Sequence, residues 1–240
     1  MNTNSNTYTV LYSIGLVVVV AAVLAFVAKF LQPQQEANVK KDTISQILTA
    51  AGIEYTEDNI LETYKSSCME SILVNIEGDK VGTLDKEKCE VYSNSDLKAQ
   101  ISASDKLLPV YIFKDVIVIP CYGPGLWGPI WGYIGIAHEE GAWKIKHACF
   151  GHKGETPGLG AKIAEESFAK LFTDKFIGSG ETKVENEPVY FEVTKPANRV
   201  TDLNGVDAIS GATITSQSLG KALNQWFGFY QGYLNPSDNK

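Results

Sequence analysis

Asp207-Ala208-Ile209-Ser210-Gly211-Ala212-Thr213-Ile214-Thr215-Ser216 is small, polar and glycine-bearing, and it runs into Leu219, Ala222, Leu223, Trp226, Phe227 and Tyr230. Those apolar residues fall at i, i+3, i+4, i+7, i+8 and i+11, the stripe of one helix face. The spacing predicts an amphipathic helix that buries the stripe. Thr215 or Ser216 is a suitable N-cap for it. Thr213 then stands just before a helix N-terminus, where unpaired N–H groups and the positive end of the dipole favour an anion. A phosphate on the Thr213 hydroxyl is electrostatically well placed there. A Ser/Thr-rich capping segment without chemistry fits the same spacing.

Outward from this helix, strands and helices interleave. Residues 71–76 and 80–84 flank Glu77-Gly78-Asp79, and residues 130–138 and 142–150 flank Glu139-Glu140-Gly141; both read as hairpins. Residues 110–113 and 116–119 read as short strands around Lys114-Asp115, and residues 189–194 as another. Ile44, Ile47, Leu48 and Ala51 fit a short helix capped by Asp42 or Thr43 and closed by Gly52. Residues 163–176 read as a helix, with Phe168, Leu171, Phe172 and Lys175 at helical spacing and Gly178 beyond it. Strict βαβ alternation is missing, so the reading is α+β, with a mixed or antiparallel sheet and flanking helices, in one domain over residues 42–240. That length is enough to bury one good core.

The front of the chain is different. Residues 10–28 carry no charge, and nineteen residues at about 1.5 Å each span about 28 Å, close to the hydrocarbon thickness of a bilayer. The expected division is a short tail over residues 1–9, a transmembrane helix over 10–31 and a polar linker over 32–41 that begins Gln32-Pro33-Gln34-Gln35-Glu36. Tyr8 and Tyr12 suit one interface and Lys29 the other. A cleaved signal peptide is the alternative, but the run is long for one and no Lys or Arg precedes it. Counting Lys29, Lys40 and Lys41 against Glu36 and Asp42 leans weakly towards a cytoplasmic C-terminal domain.

Composition excludes several classes. The net charge of −7 and the single arginine, Arg199, argue against a nucleic-acid binder. Cys68, Cys89, Cys121 and Cys149 form no CxxC, and His138, His147 and His152 lie on or beside one hairpin without metal-site spacing, so no metal is expected. No GxGxxG follows a strand, so NADH oxidation by this chain alone is not expected. Ser210 has no identifiable base, which leaves a serine hydrolase unsupported. Glu165 and Glu166 read as a solvated face.

Two further segments hold more Gly and Pro than turns require: Cys121-Tyr122-Gly123-Pro124-Gly125-Leu126-Trp127-Gly128-Pro129 and His152-Lys153-Gly154-Glu155-Thr156-Pro157-Gly158-Leu159-Gly160. Such loops bring backbone N–H groups close to a planar or phosphorylated ligand, or simply connect strands. Taken together, Ser210-Gly211-Ala212-Thr213, Glu155-Thr156-Pro157-Gly158-Leu159-Gly160 and Gly125-Leu126-Trp127-Gly128 resemble, in that order of weight, three motifs of the FMN-binding domain family. The resemblance covers most of the chain.

The resemblance implies FMN held covalently by a phosphoester on Thr213. It implies backbone contacts to the phosphate from Ser210, Gly211, Ala212 and Thr215. Glu155, Thr156, Leu159 and Gly160 would line the ring or ribityl chain, and Leu126 and Trp127 would pack on the flavin. A core position for Trp127 is an equal alternative. A separate flavin transferase would install FMN from FAD. The implied function is an electron-transfer subunit of a membrane NADH:quinone oxidoreductase coupled to sodium translocation, not catalytic alone and partnered by the other subunits. The flavin subunit of an Rnf-type complex and a non-redox membrane-tethered module are alternatives. The implied location is a bacterial inner membrane, crossed once, with the flavin domain on the periplasmic face, against the charge count.

Overall fold

The computed structural model describes residues 6–181, 183–184, 187–198 and 203–235; the first residues of the expected tail and Arg199 lie outside them. The chain divides into two compact units, Met1–Lys41 and Asp42–Lys240. One helix, α1 (Asn6–Ala50), supplies all the described structure of the first unit and the start of the second. In the first unit its apolar residues are exposed on every side, Val17, Leu24, Phe26 and Phe30 among them. It is long and apolar enough to cross a membrane. The polar stretch at residues 32–41 does not end it, and Ile44–Ala50 is no separate helix: Pro33 lies inside α1. Proline removes one backbone bond, and the residues after it, mostly Gln, Glu, Ala and Lys, are good helix formers that carry the helix on. Gly52 then takes φ 71°, the left-handed conformation expected beyond a helix end.

The second unit is built on α2 (Ile60–Ser67), β1 (Glu70–Val74), β2 (Lys80–Thr83), α3 (Asn94–Ser102), β3 (Leu108–Ile112), β4 (Ile117–Pro124), β5 (Pro129–Glu139) and β6 (Ala142–His152). The six strands form one sheet in the order β2-β1-β3-β4-β5-β6, every neighbouring pair antiparallel. Glu140 and Gly141 both take positive φ, which closes the β5–β6 hairpin with the twist its strands need. The α3 start is fixed by a reciprocal capping box between Ser93 and Asp96.

Alternation along the strands divides the core into two layers. Val110, Ile119 and Ile134 face a core shared with the C-terminal helix. Their neighbours Tyr111, Val118 and Tyr133 face Ile44, Ile47 and Leu48 of α1 and Tyr64 of α2. The sheet is thus covered on both faces.

Residues 163–176 do not form the single helix their spacing predicts. They make a 3-10 turn (Gly160–Ala164), the one-turn helix α4 (Glu166–Ala169) and a second 3-10 turn (Lys170–Phe172), with Glu165 and Thr173 extended between and after them. Two competing demands break the helix. Phe172 packs against a tilted Phe150 and stacks on Phe191, at ring-centroid distances of 4.7 and 5.2 Å. Residues 174–177 run along the edge of β6, where Lys175 O accepts from Ile145 N–H (2.8 Å) and Ile177 N–H donates to Trp143 O (2.9 Å). Gly178 accordingly is no helix cap; its N–H donates to Tyr190 O.

Beyond lie the two-residue strands β7 (Lys183–Val184) and β8 (Glu187–Pro188), then β9 (Glu192–Thr194) and β10 (Gly205–Asp207), which pair in parallel. The strand expected over 189–194 is shorter because the Asn224 side chain accepts from Tyr190 N–H (2.7 Å) and Phe191 N–H (2.8 Å). The chain closes with α5 (Thr213–Phe229) and α6 (Gln231–Leu234). The stripe of α5 is buried as its spacing predicts: Leu219, Leu223, Trp226 and Phe227 lie in the first core. Trp226 Nε1–H donates to Tyr122 O (2.8 Å) and the Tyr230 hydroxyl to Pro109 O (2.7 Å), so the polar ends of two buried aromatics are satisfied.

Candidate functional site

Three loops converge at the ends of β4, β6 and α5. The helix α5 starts three or four residues earlier than expected, with Ala212 at its N-cap in place of Thr215 or Ser216 and Thr213 as its first residue, so Thr215 and Ser216 lie inside the first turn, buried. Ser216 holds the turn before the helix: its hydroxyl accepts from Ile209 N–H (3.0 Å) and donates to Ala212 O (2.9 Å). Gly211 takes φ 78°, which a residue with a Cβ rarely adopts. Ser210 and Gly211 are exposed and Thr213 is half-buried, at a helix end where the first N–H groups have no intrahelical acceptor.

Glu155 ties this turn to the other loops. It is only 4% exposed. Its Oε2 accepts from the Thr215 hydroxyl at 2.7 Å and its Oε1 from Trp127 N–H at 2.9 Å. Its own N–H donates to His152 Nδ1 (3.3 Å). Burial raises its pKa, but hydrogen bonds from Thr215 and from the Trp127 and Leu126 amides, with His152 nearby, outweigh burial and leave the carboxyl below its ordinary value. Glu155 is therefore ionised at neutral pH. The first loop closes on itself, Gly125 N–H donating to Gly128 O (2.8 Å), and it bonds to the second, Lys153 N–H donating to Pro129 O (3.0 Å).

Two glycines make room for this carboxylate. A Cβ on Gly160 would lie 2.5 Å from Glu155 Oε2 and 2.7 Å from Thr215 Oγ1; one on Gly125 would lie 2.5 Å from Glu155 Oε1 and 2.6 Å from Gly128 O. Gly158 and Gly211 instead border open space. A Cβ on Gly158 would meet nothing within 4 Å, and one on Gly211 would meet only Leu159, at 3.2 Å.

Over the buried carboxylate the surface is apolar. Trp127 is 71% exposed, Ile214 58%, Leu126 47% and Leu159 44%. Trp127 is thus no core aromatic. Thr156 is exposed beside Leu159, and Gly160 is buried below. An apolar rim, glycine-lined space and a half-buried hydroxyl at a helix N-terminus fit a planar aromatic group carrying a phosphate. FMN is such a group.

Of the expected residues, the loops bring Ser210, Gly211, Ala212 and Thr213 to one edge and Leu126, Trp127, Thr156 and Leu159 to the rim. Glu155, Gly160 and Thr215 lie beneath. Sequence reading missed His152 and the stapling role of Ser216. A serine four residues after Ala212, in the first turn of a capped helix, is the signal that could have found the second. All four cysteines are free, three of them buried. Among the described residues, no group of three or more His, Cys, Asp or Glu side chains is placed to hold a metal ion.

Comparison with known proteins bears on this geometry. The FMN-binding domain family matches residues 125–228, a span that holds the three motifs Gly125–Gly128, Glu155–Gly160 and Ser210–Thr213. A C-terminal helicase-associated putative binding domain matches residues 21–73, which run from the middle of α1 into β1 and correspond to no complete structural unit. The solved structure of the C subunit of Na(+)-translocating NADH-quinone reductase from Parabacteroides distasonis is 31% identical, with 85% of this chain and 97% of that one covered and a TM-score of 0.69. Shewanella oneidensis NqrC shares the fold, at 22% identity and a TM-score of 0.65, over 85% of this chain and all of that one. The curated C subunit of the Haemophilus ducreyi Na(+)-translocating NADH-quinone reductase is 28% identical, over 93% of this chain and 90% of its own length.

Proposed function

The chain belongs to the family of the C subunit of Na(+)-translocating NADH-quinone reductase, and we propose that it carries electrons within such a membrane complex on an FMN bound covalently to Thr213. When bound, FMN supplies the redox chemistry. The protein's part is to hold and orient it. The Thr213 hydroxyl is the attachment point, through a phosphoester. Backbone N–H groups of the Ser210–Thr213 turn and the first turn of α5 stabilise the phosphate charge. Trp127, Leu126, Leu159 and Ile214 pack on the ring and shield it from water. A tether keeps the ring at high effective concentration beside its loops, which suits a relay that never exchanges its cofactor.

The observation that carries this reading is the placement of Thr213: a half-buried hydroxyl at the start of α5, next to an exposed apolar rim that no other part of the described domain covers. A separate flavin transferase transfers the FMN phosphoryl group from FAD to Thr213 Oγ1 and releases AMP. The partners are the other subunits of the complex. The apolar part of α1 is the single membrane span, and the flavin domain lies on the periplasmic face of a bacterial inner membrane.

The test is a denaturing gel of the full-length chain expressed with the transferase. A flavin-fluorescent band is expected from the wild type and none from Thr213→Val. Protease added outside spheroplasts should shorten the fluorescent band. Fluorescence that persists in Thr213→Val would falsify the assignment of the attachment site, and a band untouched by external protease would overturn the periplasmic placement.

A further inference from the structure

We propose that Glu155 is a positioning residue for the modification of Thr213, acting through Thr215; the proposal rests on the reading above. In the modification the Thr213 hydroxyl gives up its proton to a base of the transferase and from there to water, and its oxygen forms a P–O bond to the FMN-side phosphorus of FAD. The pyrophosphate P–O bond breaks and AMP leaves. The chain's contribution is to present that hydroxyl in one place: Ser216, buried Ala212 and Ile209 hold the base of the turn, but exposed Ser210 and Gly211 add no packing on the side of the hydroxyl.

Glu155 supplies what packing does not. One carboxylate joins segments 28 and 60 residues away, through Trp127 N–H and the Thr215 hydroxyl. Thr215 is two residues beyond Thr213 in the same helical turn, so fixing its hydroxyl fixes the turn that carries Thr213. Both carboxylate oxygens are engaged by the chain itself, which makes Glu155 a poor direct partner for a cofactor and a good strut. The arrangement needs the space at Gly160 and Gly125, where a side chain would collide with the carboxylate.

The strut lies outside both apolar cores. No residue of 124–129, 152–160 or 210–216 belongs to either hydrophobic core. Weakening Glu155 should therefore loosen the site and leave the sheet standing. A charged hydrogen bond of this kind is strong enough for its loss to slow the modification about 10- to 100-fold.

The experiment measures the initial rate of flavin incorporation into the full-length chain by the transferase with FAD, for Glu155→Gln, Thr215→Val and Thr215→Ser, with melting temperatures alongside. Glu155→Gln and Thr215→Val should be slowed about 10- to 100-fold, mainly in kcat, because the hydroxyl is misplaced while the exposed surface the transferase meets is unchanged. Thr215→Ser keeps the donor and should stay within about threefold of wild type. The double variant should be no slower than the slower single one. Wild-type rates in Glu155→Gln or Thr215→Val overturn the proposal, as does a Thr215→Ser chain as slow as Thr215→Val. If Glu155→Gln does not fold, the Thr215 pair decides. Incorporation that persists in Thr213→Val contradicts the attachment site itself, a failure distinct from these.

Discussion

The rim and the floor of the site reverse the usual order of a protein surface. Trp127, Leu126, Leu159 and Ile214 are exposed, while the ionised Glu155 lies beneath them with Thr215 and Ser216. Elsewhere in the domain the order is ordinary: apolar stripes face the sheet and charged pairs such as Lys146–Asp174 lie outside. The reversal separates two tasks. The floor uses hydrogen bonds because they fix direction, and it fixes three loops that the cores leave alone. The rim uses apolar area because that area is to be covered by something else.

The largest expected effect breaks the floor. In Gly160→Ala the new Cβ meets Glu155 Oε2 and Thr215 Oγ1 together, and the carboxylate cannot retreat without abandoning its donors. Overpacking a buried polar cluster should cost about 2–3 kcal/mol, read by urea unfolding. A near-neutral Gly160→Ala would mean that the floor is softer than its geometry implies. A smaller effect comes from acid. The folded-state pKa of Glu155 is depressed, so its stabilisation is present above the ordinary glutamate value of 4.5 and is lost as pH falls through the folded value. The stability gap between wild type and Glu155→Gln should therefore narrow as unfolding is followed from pH 6 down to about pH 3. A gap that holds constant to that pH would show that the charge is not what holds the floor.

The smallest effect concerns the rim. Trp127→Ala removes a side chain that is mostly in water, and unfolding of the flavin-free chain should shift by less than about 0.5 kcal/mol. The visible circular dichroism of the flavin-loaded chain should change nonetheless. A destabilisation as large as that of Gly160→Ala would erase the distinction between rim and floor.

The same distinction explains what was legible in the sequence. The α5 stripe and the Glu139-Glu140-Gly141 hairpin were readable because one local periodicity or turn decides them. The three loops were readable as a set by their resemblance to one family. The role of Glu155 within them was not. A glutamate between Gly154 and Thr156 reads as a ligand contact, and only partners far along the chain put it underground. The 163–176 segment misled for the same reason: helical spacing was present, but Phe150, Phe191 and the β6 edge claimed the residues. In α1, Pro33 and its polar neighbours looked like an ending because composition changed there, although helix-forming tendency did not. The start of α3 carried a readable signal, Ser93 with Asp96 three residues on.

The topology of the main sheet also sets how much chain each contact closes. Four of its five neighbouring pairs join strands consecutive in sequence, so most of the sheet closes short stretches of chain. The Glu155 contacts close 28 and 60 residues, and longer closures are entropically costlier. Of these, the 60-residue Glu155–Thr215 closure is longer than any strand pairing in the main sheet, the longest of which, β1 with β3, spans 34 to 42 residues. Because that contact fixes the turn that carries Thr213, a cofactor joined to Thr213 as proposed above would report that this long closure had formed.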